Sequence, residues 1–137
     1  MERIRSSDRT DIAAWVAGAG PPLGLVHGTA ADHTRWGSVS SALEGTFTVC
    51  AVDRRGLGES GDADLYSIER EFEDIAAVCN AIHEPVHLLG HSYGAMRSLG
   101  AALLMKNLAK LILYEPPVPA GIAIYPPGAA VGEVVNT

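Results

Sequence analysis

Short apolar segments alternate along the chain with amphipathic ones, which predicts strands that alternate with helices. Strands in this arrangement pair mostly in parallel, because each crossover helix returns the chain to the same end of the sheet. The pattern therefore predicts an α/β fold with a mostly parallel sheet and helices on both faces. The predicted strands are residues 11–17, 23–27, 47–52, 86–89 and 110–114.

Apolar positions at helical spacing predict two helices before residue 86. Trp36, Val39 and Leu43 mark one face of a short helix, which Gly45 ends. Ser67 is suited to cap the second helix, because its hydroxyl can accept a hydrogen bond from the first turn. The apolar stripe of this second helix consists of Ile68, Phe72, Ile75, Cys79 and Ile82.

The segment from Gly90 to Gly94 reads Gly-His-Ser-Tyr-Gly and lies between a predicted strand and a third predicted helix. A G-x-S-x-G sequence in that position places the serine on a sharp turn at the carboxyl edge of the sheet. We therefore predict that Ser92 is a nucleophile, with an oxyanion stabilised by backbone N–H groups of the following helix. The alternative is a Gly/Ser turn that carries no chemistry.

Composition and charge limit the classes of protein to which the chain can belong. Hydrophobic residues make up 47% of the 137 positions and charged residues 19%, which is typical of one globular domain. The formal net charge of −6 argues against nucleic-acid binding. We find neither a secretory signal nor an apolar stretch long enough to span a bilayer, and expect a cytoplasmic protein without a membrane partner. Cys50 and Cys79 are predicted to be buried free thiols.

Three more motifs occur in the sequence besides the Gly90–Gly94 turn. A strand runs into His27-Gly28-Thr29, a second strand runs into Asp53-Arg54-Arg55-Gly56-Leu57-Gly58-Glu59-Ser60, and a third ends at Pro116-Pro117. Together the four motifs resemble the N-terminal half of the α/β-hydrolase superfamily, in its serine-nucleophile branch, over about residues 11–117. The resemblance implies a core in residues 1–117, truncated after the sixth strand of the fold. Residues 118–137 would then be the start of a cap or lid region, or a disordered tail.

The resemblance also implies a function and a set of site residues. It implies hydrolysis of an ester or related acyl bond of a small molecule through an acyl-Ser92 intermediate, with no cofactor and no metal. The esterase, lactonase, C–C hydrolase, acyltransferase and haloperoxidase-like subtypes all stay open. The oxyanion donors would be the backbone N–H groups of Thr29 and Tyr93, and Glu115 is a candidate acid. The turn and motif residues would be His27, Gly28, Asp53, Gly90, His91 and Gly94.

A catalytic base is missing from the expected place. In the superfamily the acid and then the histidine follow the serine, but all five histidines of this chain precede Ser92. Glu115 and Glu133 are the only carboxylates after it. The sequence therefore predicts a truncated hydrolase, in which His27 and His91 lie beside the site but belong to the turn motifs rather than to the usual place of the base. The alternative is a catalytically inactive ligand-binding or interaction module.

Two smaller predictions complete the picture. Gly56 to Gly61 matches G-x-G-x-x-G, but residues 62–66 separate it from the next helix, so a dinucleotide site is not favoured. We expect instead a tight loop that Asp53 and Arg54 hold near the pocket mouth. The strand at 110–114 is expected to be an exposed sheet edge, through which copies of the chain would self-associate.

Overall fold

A six-stranded sheet forms the centre of the computed structural model, which describes residues 1–118. The strands lie in the order β1-β2-β4-β3-β5-β6. Pairing is parallel between β4 and β3, between β3 and β5, and between β5 and β6. Strand β2 pairs antiparallel with β4, and β1 pairs antiparallel with β2. The strands are β1 (Glu2–Arg5), β2 (Asp11–Gly18), β3 (Pro22–Val26), β4 (Thr48–Val52), β5 (Val86–His91) and β6 (Leu108–Tyr114). The predicted α/β class and mostly parallel sheet are confirmed.

Helices cover both faces of the sheet, also as predicted. They are α1 (Gly37–Glu44), which follows a 3₁₀ turn at His33–Trp36, α2 (Ile68–Asn80) and α3 (Tyr93–Ala102). Successive residues of a strand point to opposite faces. Leu25 of β3 thus packs in a cluster with Leu43 of α1, whereas its neighbour Val26 packs with Ile75 of α2 and Ala101 of α3.

The sequence pattern did not predict β1, and the bounds of β5 and β6 differ from the predicted ones. Strand β1 has one apolar residue, Ile4, and it forms by antiparallel pairing with β2, where Ile4 lies opposite Ile12. Strand β5 continues past the predicted end at residue 89 through Gly90 and His91. Only Ser92 therefore separates β5 from α3, which begins at Tyr93. Strand β6 begins at Leu108 rather than residue 110.

Helix α2 begins as predicted but buries more than its apolar stripe. The Ser67 hydroxyl accepts a hydrogen bond from the Arg70 N–H, which confirms the cap. Ile75 and Cys79 are fully buried, but Ile68 is 38% exposed. Two carboxylates of α2, Glu71 and Asp74, are also buried. The stripe did not predict this burial, because each carboxylate pairs with an arginine from the loop after β4.

One of these pairs fixes the N-terminal hairpin to the rest of the fold. The Arg55 guanidinium binds both carboxylate oxygens of Asp74 at 2.7 Å and Asp8 at 2.9 Å. The hydrogen bond from Arg55 holds the pKa of Asp8 far below its usual range. Cys50 and Cys79 are buried and free, as predicted, and burial raises the pKa of each thiol to about 12.

Two predictions concern features at the limit of the described chain. The predicted cap or tail at 118–137 lies, except for Val118, outside the described residues. Strand β6 is an outer strand of the sheet that residues 1–118 form, and Ile112 and Tyr114 on it are 43% and 54% exposed. No helix in this part of the chain is long and apolar enough to cross a membrane.

Candidate active site

Ser92 occupies a strained turn between β5 and α3. Its backbone has φ of 56° and ψ of −124°, a region that non-glycine residues rarely adopt. Hydrogen bonds hold the turn on both sides: the Ser92 N–H donates to the Tyr114 carbonyl at 3.0 Å, and the Ser92 carbonyl accepts from the Ala95 N–H at 2.9 Å. The turn therefore places the serine at the carboxyl end of β5 with its conformation fixed by two neighbours.

The two glycines of the motif permit this turn by lacking a side chain. A Cβ on Gly94 would collide with the carbonyl oxygens of Val26 and His27. A Cβ on Gly90 would collide with the Gly94 carbonyl, and it would lie 2.6 Å from the Ser98 hydroxyl. Helix α3 can therefore approach β3 and β5 only with glycine at both positions.

The turn after β3 faces Ser92 across an open cleft of about 340 Å³. A Cβ placed on Gly28 would lie 3.1 Å from the Ser92 Cβ and 3.6 Å from its hydroxyl oxygen. Tyr93 is the first residue of α3, so its N–H has no partner within the helix. The cleft is lined by Gly28, Thr29, Ala30, Ala31, Arg35, His91 and Ser92.

His27 orients this turn and has no free ring nitrogen. Its Nδ1 lies 2.9 Å from the Gly28 carbonyl oxygen, and its Nε2 accepts a hydrogen bond from the Arg54 N–H at 3.0 Å. These two partners assign the proton to Nδ1. Burial lowers the pKa of His27, which favours the neutral ring. His27 is thus poorly placed to accept a proton from Ser92.

His91 and Glu115 lie close together at the same edge of the sheet. The His91 Nε2 is 3.8 Å from a carboxylate oxygen of Glu115, beyond hydrogen-bond distance, and the Glu115 side chain is 71% exposed. The His91 ring also packs against Tyr114, with 5.1 Å between ring centroids. Among residues 1–118, His91 is the histidine that lines the Ser92 cleft.

Asp53 ties together the loops beside the cleft. Its buried carboxylate accepts hydrogen bonds from the backbone N–H groups of His33 (2.7 Å) and Glu59 (2.9 Å) and from the Trp15 indole (3.2 Å). Burial raises the pKa of Asp53, but these donors and the His33 ring outweigh it and keep the pKa below its usual value. The His33 ring, 2.9 Å from the carboxylate, also stacks on Trp15.

The first two glycines of the G-x-G-x-x-G match, Gly56 and Gly58, face carboxylates rather than an open site. A Cβ on Gly58 would collide with the Asp53 carboxylate, and one on Gly56 would lie 2.9 Å from an oxygen of Asp62. Both glycines have positive φ, of 53° and 74°. This loop is therefore tight, as the sequence indicates, and anionic groups line it. Within residues 1–118, no cluster of three His, Cys, Asp or Glu side chains could hold a metal ion.

An ion cluster around one buried carboxylate, which the sequence did not indicate, lies beside the site. We define this buried ion cluster as Arg54, Tyr66, Glu71 and Arg97, of which Glu71 is buried, the two arginines are partly buried and Tyr66 is 59% exposed. Glu71, 2% exposed, accepts from Arg54 at 2.7 Å, from Arg97 at 2.9 Å and from the Tyr66 hydroxyl at 2.6 Å. Burial raises the pKa of Glu71, but these three donors outweigh it and lower the pKa below its ordinary value. Arg54 also donates to the Gly28 carbonyl at 3.0 Å, which links the cluster to the cleft.

Comparison with known proteins agrees with the α/β fold described above. The chain belongs to the alpha/beta hydrolase family, whose family model matches residues 25–135. It is 37% identical over 105 residues to N-formylmaleamate deformylase of Pseudomonas putida. That alignment covers 74% of this chain and 39% of the deformylase.

Two solved structures are similar over most of the chain. An alpha/beta hydrolase from Sphaerobacter thermophilus superposes with a TM-score of 0.79 at 40% identity, over 85% of this chain and 45% of the other. An esterase from Exiguobacterium antarcticum superposes with a TM-score of 0.79 at 29% identity, over 85% and 46%. The chain thus spans less than half the length of these relatives.

Proposed function

We propose that this chain provides the nucleophile and the oxyanion site of a serine hydrolase that cleaves an ester or related acyl bond of a small molecule. The observation that carries the proposal is the strained Ser92 turn facing the Gly28-Thr29 backbone. Strain at a non-glycine residue persists only where surrounding contacts enforce it, and such residues concentrate at active sites. The names of two relatives, a deformylase and an esterase, support hydrolysis of an acyl bond.

The proposed reaction begins with attack of the Ser92 hydroxyl oxygen on the substrate carbonyl carbon. The hydroxyl proton passes to a base, and the carbonyl oxygen becomes an oxyanion that accepts hydrogen bonds from the N–H groups of Thr29 and Tyr93. Collapse of this intermediate releases the alcohol or amine, which takes up the proton, and leaves acyl-Ser92. Water then attacks the acyl-enzyme by the same route, releases the acid and restores Ser92.

Within residues 1–118, neither His27 nor His91 is well placed to act as the base that accepts the Ser92 proton. His27 has both ring nitrogens engaged, and the His91 Nε2 lies 3.8 Å from Glu115, too far for a hydrogen bond that would orient the ring. The second candidate function is an inactive ligand-binding module, which needs no base. The two candidates differ in whether Ser92 becomes covalently modified.

Labelling with a fluorophosphonate probe tests the proposal. The protein is used in the form that its gene encodes, and the labelled residue is located by mass spectrometry. We expect the label on Ser92, loss of labelling in Ser92→Ala, and normal labelling in Ser38→Ala, which removes an exposed serine of α1. Labelling that is absent, or that survives in Ser92→Ala, would favour the inactive module.

Hydrolysis of p-nitrophenyl acetate by residues 1–137 tests the role of the base. We expect a rate close to that of Ser92→Ala, because a serine without a base keeps only a small remnant of the catalytic rate. A rate well above this control would mean that the chain contains its own base. In that case His91→Gln should abolish the excess, since the His91 ring lines the Ser92 cleft.

A further inference from the structure

Arg35 is a cation at the Ser92 cleft that has no carboxylate partner within the described residues. It lies in the 3₁₀ turn at His33–Trp36, is exposed, and lines the cleft together with Ser92. Within residues 1–118 its side chain forms no ion pair or hydrogen bond. Apart from Arg9, every other arginine there has a carboxylate partner within 4.0 Å. Arg9 does not line this cleft.

The buried ion cluster adds positive charge to the same side of the molecule. In it one carboxylate, Glu71, is shared by two guanidinium groups, those of Arg54 and Arg97. The cluster therefore carries an excess of one positive charge, and Arg54 brings that charge to the Gly28 carbonyl beside the cleft.

No carboxylate within residues 1–118 forms an ion pair with Arg35, whose guanidinium has none within 4.0 Å. Asp32 is engaged by the Thr34 N–H at 2.8 Å and by the Thr34 hydroxyl, with which it caps the 3₁₀ turn. The Glu115 carboxylate lies 3.8 Å from the His91 Nε2. The other residues of the cleft wall that face Arg35 are small, namely Gly28, Thr29, Ala30 and Ala31. The cleft therefore has room for a ligand beside a guanidinium that has no partner within residues 1–118.

We propose that the Ser92 cleft takes acyl substrates that carry a carboxylate, and that Arg35 binds this carboxylate. The inference rests on the proposed function, since it names the substrate class of the same site. A guanidinium presents paired N–H donors that match a carboxylate, and such charge-assisted pairs are stronger than neutral hydrogen bonds. Binding at a group remote from the reacting carbonyl orients the ester or amide bond over the nucleophile.

Binding measured without turnover tests the inference. The protein carries Ser92→Ala, and the backbone amide signals of Thr29 and Gly94 are followed by NMR during titration with monomethyl glutarate or dimethyl glutarate. These ligands differ only in a free carboxylate. We expect the monoester to bind about tenfold more tightly, the size of one charge-assisted contact. Arg35→Gln should abolish this preference, and Arg35→Lys should retain part of it.

Arg9→Gln is the matched control, because Arg9 also has no carboxylate partner within residues 1–118 but lies outside the cleft. It should leave the preference unchanged. Equal affinity for the two esters, or a preference that survives in Arg35→Gln, would overturn the inference. Neither result depends on covalent modification of Ser92, so failure here is distinguishable from failure of the labelling experiment, which tests the proposed function.

Discussion

The Ser92 N–H donates a hydrogen bond of 3.0 Å to the carbonyl oxygen of Tyr114, the last residue of β6. The turn that holds the candidate nucleophile is therefore tied to an outer strand of the sheet formed by residues 1–118. On its other side the turn is packed against β3 through Gly94. The position of Ser92 thus depends on contacts with two different strands, and changes in either should affect it.

Replacing Ser92 by glycine should stabilise the fold. Glycine adopts a φ of 56° without the steric cost that a Cβ imposes, so the free energy of unfolding should rise by about 1 kcal/mol. Ser92→Ala is the matched control, because it removes the hydroxyl but keeps the Cβ, and it should change stability little. Urea denaturation measures both variants. A Ser92→Gly protein no more stable than Ser92→Ala would show that the turn is unstrained.

Adding one methyl group at Gly94 should destabilise the fold strongly. The new Cβ would overlap the carbonyl oxygens of Val26 and His27, so α3 must move away from β3. We expect Gly94→Ala to lower the free energy of unfolding by about 3 kcal/mol or to prevent folding. Gly37→Ala is the control, because no atom lies within 4 Å of the added Cβ at the start of α1. Alanine favours helix there, and a loss of stability in this control would refute the explanation.

Glu71→Gln should destabilise the protein because it removes a buried carboxylate that two partly buried guanidinium groups share. Removing one partner of a buried ion pair costs about 3–5 kcal/mol. Glu69→Gln is the control, since Glu69 is exposed in the same turn of α2, and its effect should stay within about 0.5 kcal/mol. Thermal or urea unfolding at pH 7 measures both.

The effect of Glu71→Gln should also depend on pH. Hydrogen bonds from Arg54, Tyr66 and Arg97 outweigh burial and hold the pKa of Glu71 below its ordinary value of 4.5. A lowered pKa in the folded state gives stability that is present above pH 4.5 and is lost as the pH falls through the folded-state pKa. The difference between wild type and Glu71→Gln should therefore shrink below that pH. A difference that stays constant down to acid unfolding would contradict the ionised state of Glu71.

Ile112→Lys should reduce self-association through β6. Outer strands with exposed apolar residues pair with strands of other molecules, and a lysine opposes that pairing. Ile112 is 43% exposed, so the change should cost little in stability. Leu65→Lys is the matched control, because it adds the same charge at a residue that is 85% exposed and lies outside the sheet. Light scattering coupled to size exclusion measures the mass, and association that both variants reduce equally would exclude β6 as its cause.

The sequence by itself determined the elements of the core and the position of the serine turn. Apolar periodicity predicted α2 and the strands β2 to β6, because a half-buried helix or strand must repeat its apolar residues at its own period. The glycines around Ser92 predicted a tight turn for a local steric reason. Strand β1 escaped prediction because its structure comes from pairing with β2 rather than from its own four residues.

Only the tertiary structure decided which polar residues meet at the candidate site. Glu71 lies 17 residues from Arg54 and 26 from Arg97, and no local pattern predicts that three such side chains pack together. The engagement of both nitrogens of His27 and the unpaired state of Arg35 within residues 1–118 depend equally on distant partners. Burial and pairing of charged groups are properties of the packed molecule, because they balance desolvation against contacts that exist only after folding.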